Sequence, residues 1–182
     1  DALTETYALA ETKTGSASFG SVIVYAQASN IYAVSEPTSG SPKVYIYVLN
    51  NTIVSDDIVT YQAPIAAPLG VTNWGSKLSL SDDARWLYVS DSDNNKVYVY
   101  RQDRINLDAG YFVVGQTYII TSVGTTDFTS IGAIDNQIGV TFVADDGVSP
   151  PGTLIGTGTG TATQITYRES TVIDGATYGL VL

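Results

Sequence analysis

Residues 74–100 read WGSKLSLSDDARWLYVSDSDNNKVYVY, and this stretch decides the fold. It holds three short runs, Trp74–Leu80, Trp86–Ser90 and Lys96–Tyr100, which are separated by clusters of Asp, Asn and Ser; the first alternates apolar with polar residues, and the other two are rich in Val and aromatic residues. Alternating runs bounded by such turn residues predict antiparallel strands joined by hairpins. Residues 19–47, FGSVIVYAQASNIYAVSEPTSGSPKVYIY, repeat the same order of strands and turns, so the sequence predicts an internal repeat.

Two dipeptide marks set the size of the repeat. Thr-Tyr pairs at Thr6-Tyr7, Thr60-Tyr61 and Thr166-Tyr167 are each followed, 11 to 13 residues later, by an aromatic residue and Gly. These second marks are Phe19-Gly20, Trp74-Gly75 and Tyr178-Gly179. Tyr7 and Tyr61 are 54 residues apart, but Tyr61 and Tyr167 are 106 apart. The second unit therefore carries an insertion of about 52 residues.

The predicted fold class is all-β, with tandem four-stranded repeats like propeller blades and a small inserted β module. The fourth strand of each unit is the Thr-Tyr segment, as in Ile58–Gln62. We place the repeat region at 1–108 plus 164–182, with units near 7–60 and 61–166 and a third unit truncated at Leu182. The inserted module takes 109–163. A truncated array predicts either a fragment of a longer chain or a small protein whose open ends are covered by partner subunits.

Composition narrows the classes of function. Hydrophobic residues make up 44% of the 182, Tyr occurs thirteen times, and Cys, His and Met are absent. A chain without Cys and His has no thiol nucleophile, no Ser-His-Asp triad and no common zinc site. The net charge of −10 opposes nucleic-acid binding, and the few basic residues form no stripe along the sequence. No apolar run is long enough to predict a membrane span.

Several residues are weighed as sites, and catalytic and cofactor-binding residues are not among them. Asp91, Asp93 and Asn95 resemble the first half of a calcium loop, but the second half is missing, so an Asx-rich hairpin turn is the competing interpretation. Trp74 and Trp86 are candidates for stacking on a glycan, although residues that recur at one repeat position are typical of a core. The pairs Asp56-Asp57 and Asp82-Asp83 are interpreted as turn residues, and not as acid/base carboxylates.

The inserted module has its own sequence pattern, rich in Gly and Thr. Strands are predicted at 111–114, 116–123, 139–144 and 157–163. Between them, Asp127 is placed to cap a single helical turn that Gly132 closes. The tail Gly156–Ala162 lacks the Gly-Lys-Ser/Thr end of a phosphate loop, and an edge strand is the expected structure.

The repeat resembles the FG-GAP type of β-propeller repeat, which implies a blade-like scaffold. The resemblance rests on the aromatic-Gly-Ser opening, the Trp86–Ser90 strand and the Lys96–Tyr100 strand. It departs from the family where Gly-Ala-Pro is replaced by Ser35-Glu36-Pro37 and Ser90-Asp91-Ser92. Ligand binding by the family is therefore not carried over.

The insertion resembles a module of structural proteins from tailed phages, notably those infecting cyanobacteria. The matching residues run from Gly115 through Tyr118, Gly124–Phe128 and Gly132 to the Gly-Thr-Gly-Thr-Ala ending. This resemblance implies a virion or extracellular location and a non-enzymatic structural protein: a fibre, an appendage, or a capsid or tail decoration.

The expected partners are other virion proteins or identical subunits. A glycan- or receptor-binding adhesin module, on a virion or a bacterial surface, is the alternative function, and a host surface glycan is then a further candidate partner.

Overall fold

The computed structural model of the chain describes residues 15–38, 40–51, 56–60 and 62–175. About half of the protein is strand (49%) and 5% is helical, and its sheets are antiparallel, one of them curled into a half-barrel. The all-β class and the low helix content are therefore confirmed. The predicted marks Thr6-Tyr7, Tyr61 and Tyr178-Gly179 lie outside the described residues.

The first sheet, called sheet I here, is built from residues 23–66. Its strands are β1 (Ile23–Ala26), β2 (Ile31–Glu36), β3 (Lys43–Asn51), β4 (Asp56–Thr60) and β5 (Ile65–Ala66). They lie in the order β1-β2-β3-β4, and β5 pairs with the beginning of β3. A 3-10 turn at Gln27–Ser29 links β1 to β2 and ends at Asn30, whose φ is 53°. Sheet I is thus a meander of sequential strands.

The second sheet, sheet II, continues the chain and includes part of the insertion. The remaining strands are β6 (Trp74–Leu80), β7 (Trp86–Asp91), β8 (Lys96–Asp108), β9 (Phe112–Val113), β10 (Thr117–Ser122), β11 (Thr141–Val143), β12 (Leu154–Ile155) and β13 (Thr161–Asp174). Sheet II has the order β11-β10-β13-β8-β7-β6, and β9 pairs with β12 in a separate two-stranded ribbon. Its β6-β7-β8-β13 part matches the four-strand order of sheet I.

Serine hydroxyls show that the first strands of the two sheets are equivalent. In sheet I, Ser35 Oγ accepts a hydrogen bond from the Val22 N–H at 3.1 Å. In sheet II, Ser90 Oγ accepts one from the Lys77 N–H at 2.8 Å. The donors Val22 and Lys77 are 55 residues apart along the chain, and so are the acceptors Ser35 and Ser90. The sequence repeat is therefore a structural repeat at this level of detail.

The aromatic-Gly marks are also equivalent. Gly20 and Gly75 have φ values of 82° and 85°, in the region that L side chains rarely adopt. The ring of Phe19 contacts Tyr45 edge-on at 5.2 Å, and the ring of Trp74 contacts the equivalent Tyr98 edge-on at 6.4 Å. Glycine lets the strand turn so that the preceding aromatic ring covers the third strand.

The Thr-Tyr mark, in contrast, is not equivalent in the two sheets. Thr60 of β4 lies opposite Tyr47, whereas the residue opposite the equivalent Tyr100 is Glu169. Thr166 lies three residues earlier, opposite Asp103. Thr166 is therefore out of register with Thr60, because the long β8–β13 hairpin continues well beyond the residues that pair between β3 and β4.

The main core lies between the two sheets. Its buried members are Ala26, Ile31, Ala33, Val44, Ile46, Val48, Trp74, Ala84, Leu87, Val89, Tyr98, Tyr100, Ile165 and Tyr167. A Cβ placed on Gly75 would meet Ser35 and Val44 at 3.4 Å, so β6 approaches sheet I closely. Burial of this apolar surface is what holds the two sheets together.

The two sheets use opposite faces of equivalent strands. In β2 the core residues are Ile31 and Ala33, whereas in β7 they are Leu87 and Val89. The residue of β7 equivalent to Ile31 is Trp86, which is 37% exposed. The sheets therefore stack head to tail, and each keeps one face that the other does not cover.

A second core belongs to the insertion. All of its buried members fall within 109–163: Phe112, Val114, Tyr118, Ile120, Phe128, Ile131, Ala133, Val140, Phe142, Ala144, Ile155 and Ala162. The chain enters from β8 and leaves through β13, and Asp108 lies directly opposite Thr161. The predicted strands at 111–114, 116–123 and 139–144 are present in shortened form, while 157–160 precedes β13 instead of belonging to it.

The predicted helical turn of the insertion is confirmed. A 3-10 turn spans Phe128–Ile131, and the Asp127 carboxylate accepts the Thr129 N–H at 3.1 Å. The turn ends at Gly132, whose φ is 103°. A hydrogen bond from the Thr129 hydroxyl lowers the pKa of the Asp127 carboxyl, with a further one from Asn136, so the cap is a carboxylate at neutral pH.

Candidate functional site

The chain has four arginines, Arg85, Arg101, Arg104 and Arg168, which are spread over 84 positions of the sequence. The register of sheet II brings them together. Trp86 on β7 lies directly opposite Arg101 on β8, and Arg101 lies directly opposite Arg168 on β13. Directly opposed residues project from the same face of a sheet. One aromatic and two cationic side chains therefore form a row across three strands, called the arginine row below.

The arginine row is held by one carboxylate. Asp103 accepts a hydrogen bond from Arg101 Nη2 at 3.0 Å, and it forms an ion pair with Arg168, whose Nε is 2.9 Å from Asp103 Oδ2. Like charges directly opposite each other in a sheet destabilise it, and Asp103 offsets this repulsion. Both guanidinium groups remain accessible, with side chains 50% and 68% exposed.

A depression of about 410 Å³ adjoins the row at the start of β7. It is lined by Arg85, Trp86, Arg101, Gln102, Asp103 and Arg104. Three guanidinium groups and one carboxylate thus surround it, in a protein whose net charge is −10. The depression is a local positive site on a negative molecule.

The depression forms because β8 extends beyond the first residue of β7, which leaves one side of β8 without a neighbouring strand. β7 pairs with β8 only as far as Arg101, whereas β8 continues to Asp108 against β13. Among the described strands, nothing else pairs with that side of β8 beyond Arg101. Arg104 lies on this unpaired stretch, and its Nε donates to Gln102 Oε1 at 2.6 Å.

The turn before β7 fixes the entrance to the depression. Asp83 Oδ1 accepts the Ser81 hydroxyl at 2.7 Å and the Arg85 N–H at 3.0 Å. The bond from the Arg85 N–H is the main reason that the pKa of the Asp83 carboxyl is lowered. Ser81 Oγ in turn accepts the Trp86 N–H at 3.0 Å. This carboxylate shapes the turn, as the sequence interpretation of Asp82-Asp83 proposed.

The two tryptophans lie in different environments. Trp74 is fully buried, and its ring lies edge-on to Tyr98 and Tyr100 at 6.4 and 6.2 Å. A ring with no solvent-accessible surface cannot stack on a sugar, so Trp74 acts as a core residue. Trp86 is 37% exposed at the edge of the depression. Of the two glycan-stacking candidates, only Trp86 can contact a ligand.

The residues weighed for calcium have separate hydrogen-bond partners. The Asp91 carboxylate is buried and accepts from the Asn94 backbone N–H and side-chain amide, at 2.9 to 3.2 Å. The Asp93 carboxylate instead accepts the Thr72 hydroxyl at 3.0 Å. Asn95 has a φ of 55° and its C=O accepts the Gly175 N–H. No group of three or more acidic, His or Cys residues suited to a metal occurs in the described part of the chain.

Glu36 is a buried carboxylate that the sequence did not single out. Its Oε1 accepts the Ser16 N–H and its Oε2 accepts the Tyr45 hydroxyl, both at 2.7 Å. These two bonds, that from Ser16 first, lower the pKa of Glu36, and the bond to Glu36 raises the pKa of Tyr45 to about 12. Both oxygens are used to join β2 to β3 and to residue 16, so the role is structural.

The clustering of arginines could not be found from the sequence, because 67 positions separate Arg101 from Arg168 along the chain. The expectation that basic residues form no stripe holds along the chain but not in the folded sheet. The only signal was the 53-residue match between Lys43–Tyr47 and Lys96–Tyr100, which makes Arg101 the counterpart of Val48 in β3. A cation in one unit, at the position where the other unit has a core residue, indicates that this position faces solvent in the second unit.

No family model, no curated protein and no solved structure matches this chain. Among the described residues, no helix is both long enough and apolar enough to cross a membrane.

Proposed function

We propose that the chain is a non-enzymatic structural protein of a phage virion, acting within a larger assembly as a fibre, an appendage or a decoration. Its two four-stranded meanders, β1-β2-β3-β4 and β6-β7-β8-β13, act as blade-like units. Their head-to-tail stacking carries the proposal, because an array of this kind presents a face to a neighbour at each end.

The outer face of sheet I is the surface that a neighbouring subunit covers. Ile23 is 60% exposed there and Tyr25 is 43% exposed, although both belong to a strand. Tyr25 stacks on Tyr32 at 4.3 Å. The equivalents of Ile23 and Tyr32 in sheet II are Leu78 and Leu87, which pack in the main core. An apolar and aromatic face whose counterpart is buried elsewhere in the molecule is typical of an interaction surface.

The inserted module supports the virion setting through its resemblance to phage structural proteins. The residues that carry this resemblance have structural roles. Tyr118, Phe128 and Phe142 are buried with their rings 5.5 to 5.7 Å apart in the pairs Tyr118–Phe142 and Phe128–Phe142. Gly124 has a φ of 53° against the backbone of Thr159. A motif explained by folding suits a scaffold and not a catalyst.

The proposal is tested by measuring the oligomeric state of the chain in solution. Sedimentation velocity of the 182-residue chain should show assembly that grows with concentration, and Ile23→Glu should shift it to the monomer. Ile105→Glu is the matched control, since Ile105 is 51% exposed on β8 and away from the proposed face. A wild-type chain that stays monomeric at all concentrations would contradict the proposal.

A second candidate function is adhesion to a surface glycan. One observation favours it, namely that Trp86 is exposed beside the positively charged depression.

A further inference from the structure

We infer that the depression between Trp86 and Arg104 binds an acidic saccharide, that is, a sugar chain whose residues carry carboxylate groups. The inference deepens the second candidate function and does not require that the chain assembles. It rests on the charges that line the depression, on the exposed indole, and on a comparison with the equivalent place in sheet I.

The lining favours a carboxylate. The guanidinium of Arg104 forms no ion pair with any residue that the structure describes, and its Nε is the only nitrogen with a protein acceptor, Gln102. Arg85 is 66% exposed, and its Nε is 3.6 Å from Asp83, too far for a strong hydrogen bond. Guanidinium groups bind carboxylates through two parallel N–H bonds. Arg104, which has no ion pair among the described residues, and Arg85, whose ion pair with Asp83 is long and exposed, are therefore the residues available to hold the acid group.

The remaining groups of the depression are fixed in place. Arg101 is tied to Asp103, and Gln102 Nε2 donates to the buried Tyr167 hydroxyl at 3.2 Å. That hydroxyl itself donates to the carbonyl of Ala84. The wall is thus held before any ligand arrives, which reduces the entropy lost on binding.

The indole of Trp86 supplies the apolar contact. Its large flat surface lies at the rim beside the cations, where it can cover the apolar face of a sugar ring. A sugar ring with one apolar face and a carboxylate on one carbon can stack on the indole and pair with a neighbouring arginine at the same time. A simple inorganic anion would use the arginines alone.

The equivalent place in sheet I shows that the fold does not require this lining. Trp86 opposite Arg101 corresponds to Ile31 opposite Val48, and those two side chains are 0% and 3% exposed. The same strands and register are therefore compatible with a fully apolar pair. In sheet II the equivalent face is not covered by sheet I, and the residues that it presents to solvent are an aromatic ring beside a cation.

A saccharide is favoured over a nucleic acid. Single-stranded nucleic acid also uses stacking and cations, but it needs a positive groove several nucleotides long. The positive region here is short, since it comprises one depression and the adjoining Arg168, and the rest of a molecule of net charge −10 repels a phosphate backbone.

The experiment measures binding of a galacturonic acid hexamer to the whole chain by titration calorimetry and by protection of Trp86 from acrylamide quenching. Because Trp74 is buried, the quenching signal comes from Trp86. We expect binding that weakens with added salt, and about a tenfold weaker affinity for both Arg104→Gln and Trp86→Ala. The controls are Lys77→Gln, which removes an exposed charge on β6, and Tyr111→Ala, which removes an aromatic ring that is 60% exposed.

The outcomes separate the alternatives. Equal binding of a neutral glucose hexamer, equal loss with Lys77→Gln, or preferential binding of an oligothymidylate would each overturn the inference, as would no binding at millimolar hexamer. Each variant is first checked for an unchanged melting curve, and Arg104→Lys replaces Arg104→Gln if the latter is unfolded. The Ile23→Glu chain is titrated as well: binding by this chain supports the site whatever the result on assembly.

Discussion

Sheet I and sheet II contain the same pair of positions, filled by opposite kinds of residue. Ile31 and Val48 are enclosed in the main core, whereas Trp86 and Arg101 lie at the surface. The strands, the register and the 55-residue offset of the serine hydrogen bonds are shared. A position in a repeat therefore fixes the direction of a side chain but not its burial. Burial depends on which neighbouring sheet covers that face.

Exchanging the residues at these two positions should give the largest change in stability. Val48→Arg should destabilise the chain by more than about 4 kcal/mol, because it buries a cation without a partner between the sheets. Arg101→Val should change stability by less than about 1 kcal/mol, since it removes an exposed charge that opposes Arg168. Denaturant unfolding of both variants gives the two values. Equal effects would mean that the sheets are not packed by opposite faces.

Substituting the two tryptophans should give the next largest change in the free energy of unfolding. Trp74→Ala should cost about 3–5 kcal/mol as a buried aromatic residue, while Trp86→Ala should change stability by about 0.5 kcal/mol or less. Trp74→Phe is the informative control: Trp74 Nε1 forms no hydrogen bond with any described residue, so Phe loses ring volume only. A large loss with Trp86→Ala and a small one with Trp74→Ala would reverse the assignment of core and surface.

The inserted module tests whether sheet II is a unit of the same kind as sheet I. Asp108 and Thr161 are directly opposed, so residues 109–160 can be replaced by the two-residue turn Asn-Gly. We expect cooperative unfolding and a loss of about 2 kcal/mol or less, mainly from removing Ile119, which packs against the main core.

Circular dichroism and a melting curve check the excised chain. Failure of the shortened chain to fold would show that sheet II depends on the module and would contradict the interpretation of residues 109–163 as an insertion.

The sequence predicted those parts of the fold that are specified by neighbouring residues. The β6 strand at Trp74–Leu80 and the cap at Asp127 agree with the structure, because alternation and capping are local. The Thr166-Tyr167 mark was out of register, since pairing in β13 is set by the long hairpin with β8. Local patterns do not contain that information.

The candidate site was only partly predictable for the same reason. Trp86 was identified as a candidate, but the row it forms with Arg101 and Arg168 depends on two strand registers. The choice between Trp74 and Trp86 depends on which face of sheet II meets sheet I. Neither the row of side chains nor the choice between the tryptophans can be predicted from single strands. Both depend on how the strands pair and on how the two sheets pack.

The smallest effect concerns the buried carboxylate of sheet I, Glu36, whose counterpart in sheet II is Asp91. Hydrogen bonds from Ser16 and Tyr45 lower the pKa of Glu36 in the folded chain. A folded pKa below the unfolded one stabilises the protein above the unfolded value, near 4.5, and this stabilisation is lost as the pH falls through the folded pKa. Glu36→Gln should therefore cost about 1–2 kcal/mol at pH 7 and progressively less below pH 4.5.

Melting curves of the wild type and Glu36→Gln between pH 7 and pH 3 measure this difference. Glu169→Gln, at an exposed carboxylate on β13, is the control and should leave the melting temperature nearly unchanged at every pH. Glu36 joins the segment at Ser16 to sheet I next to the Phe19 mark, so its protonation weakens the outer face of that sheet and leaves the arginine row of sheet II intact. A gap between wild type and Glu36→Gln that stays constant down to pH 3 would show that the two hydrogen bonds do not depend on the charge of Glu36.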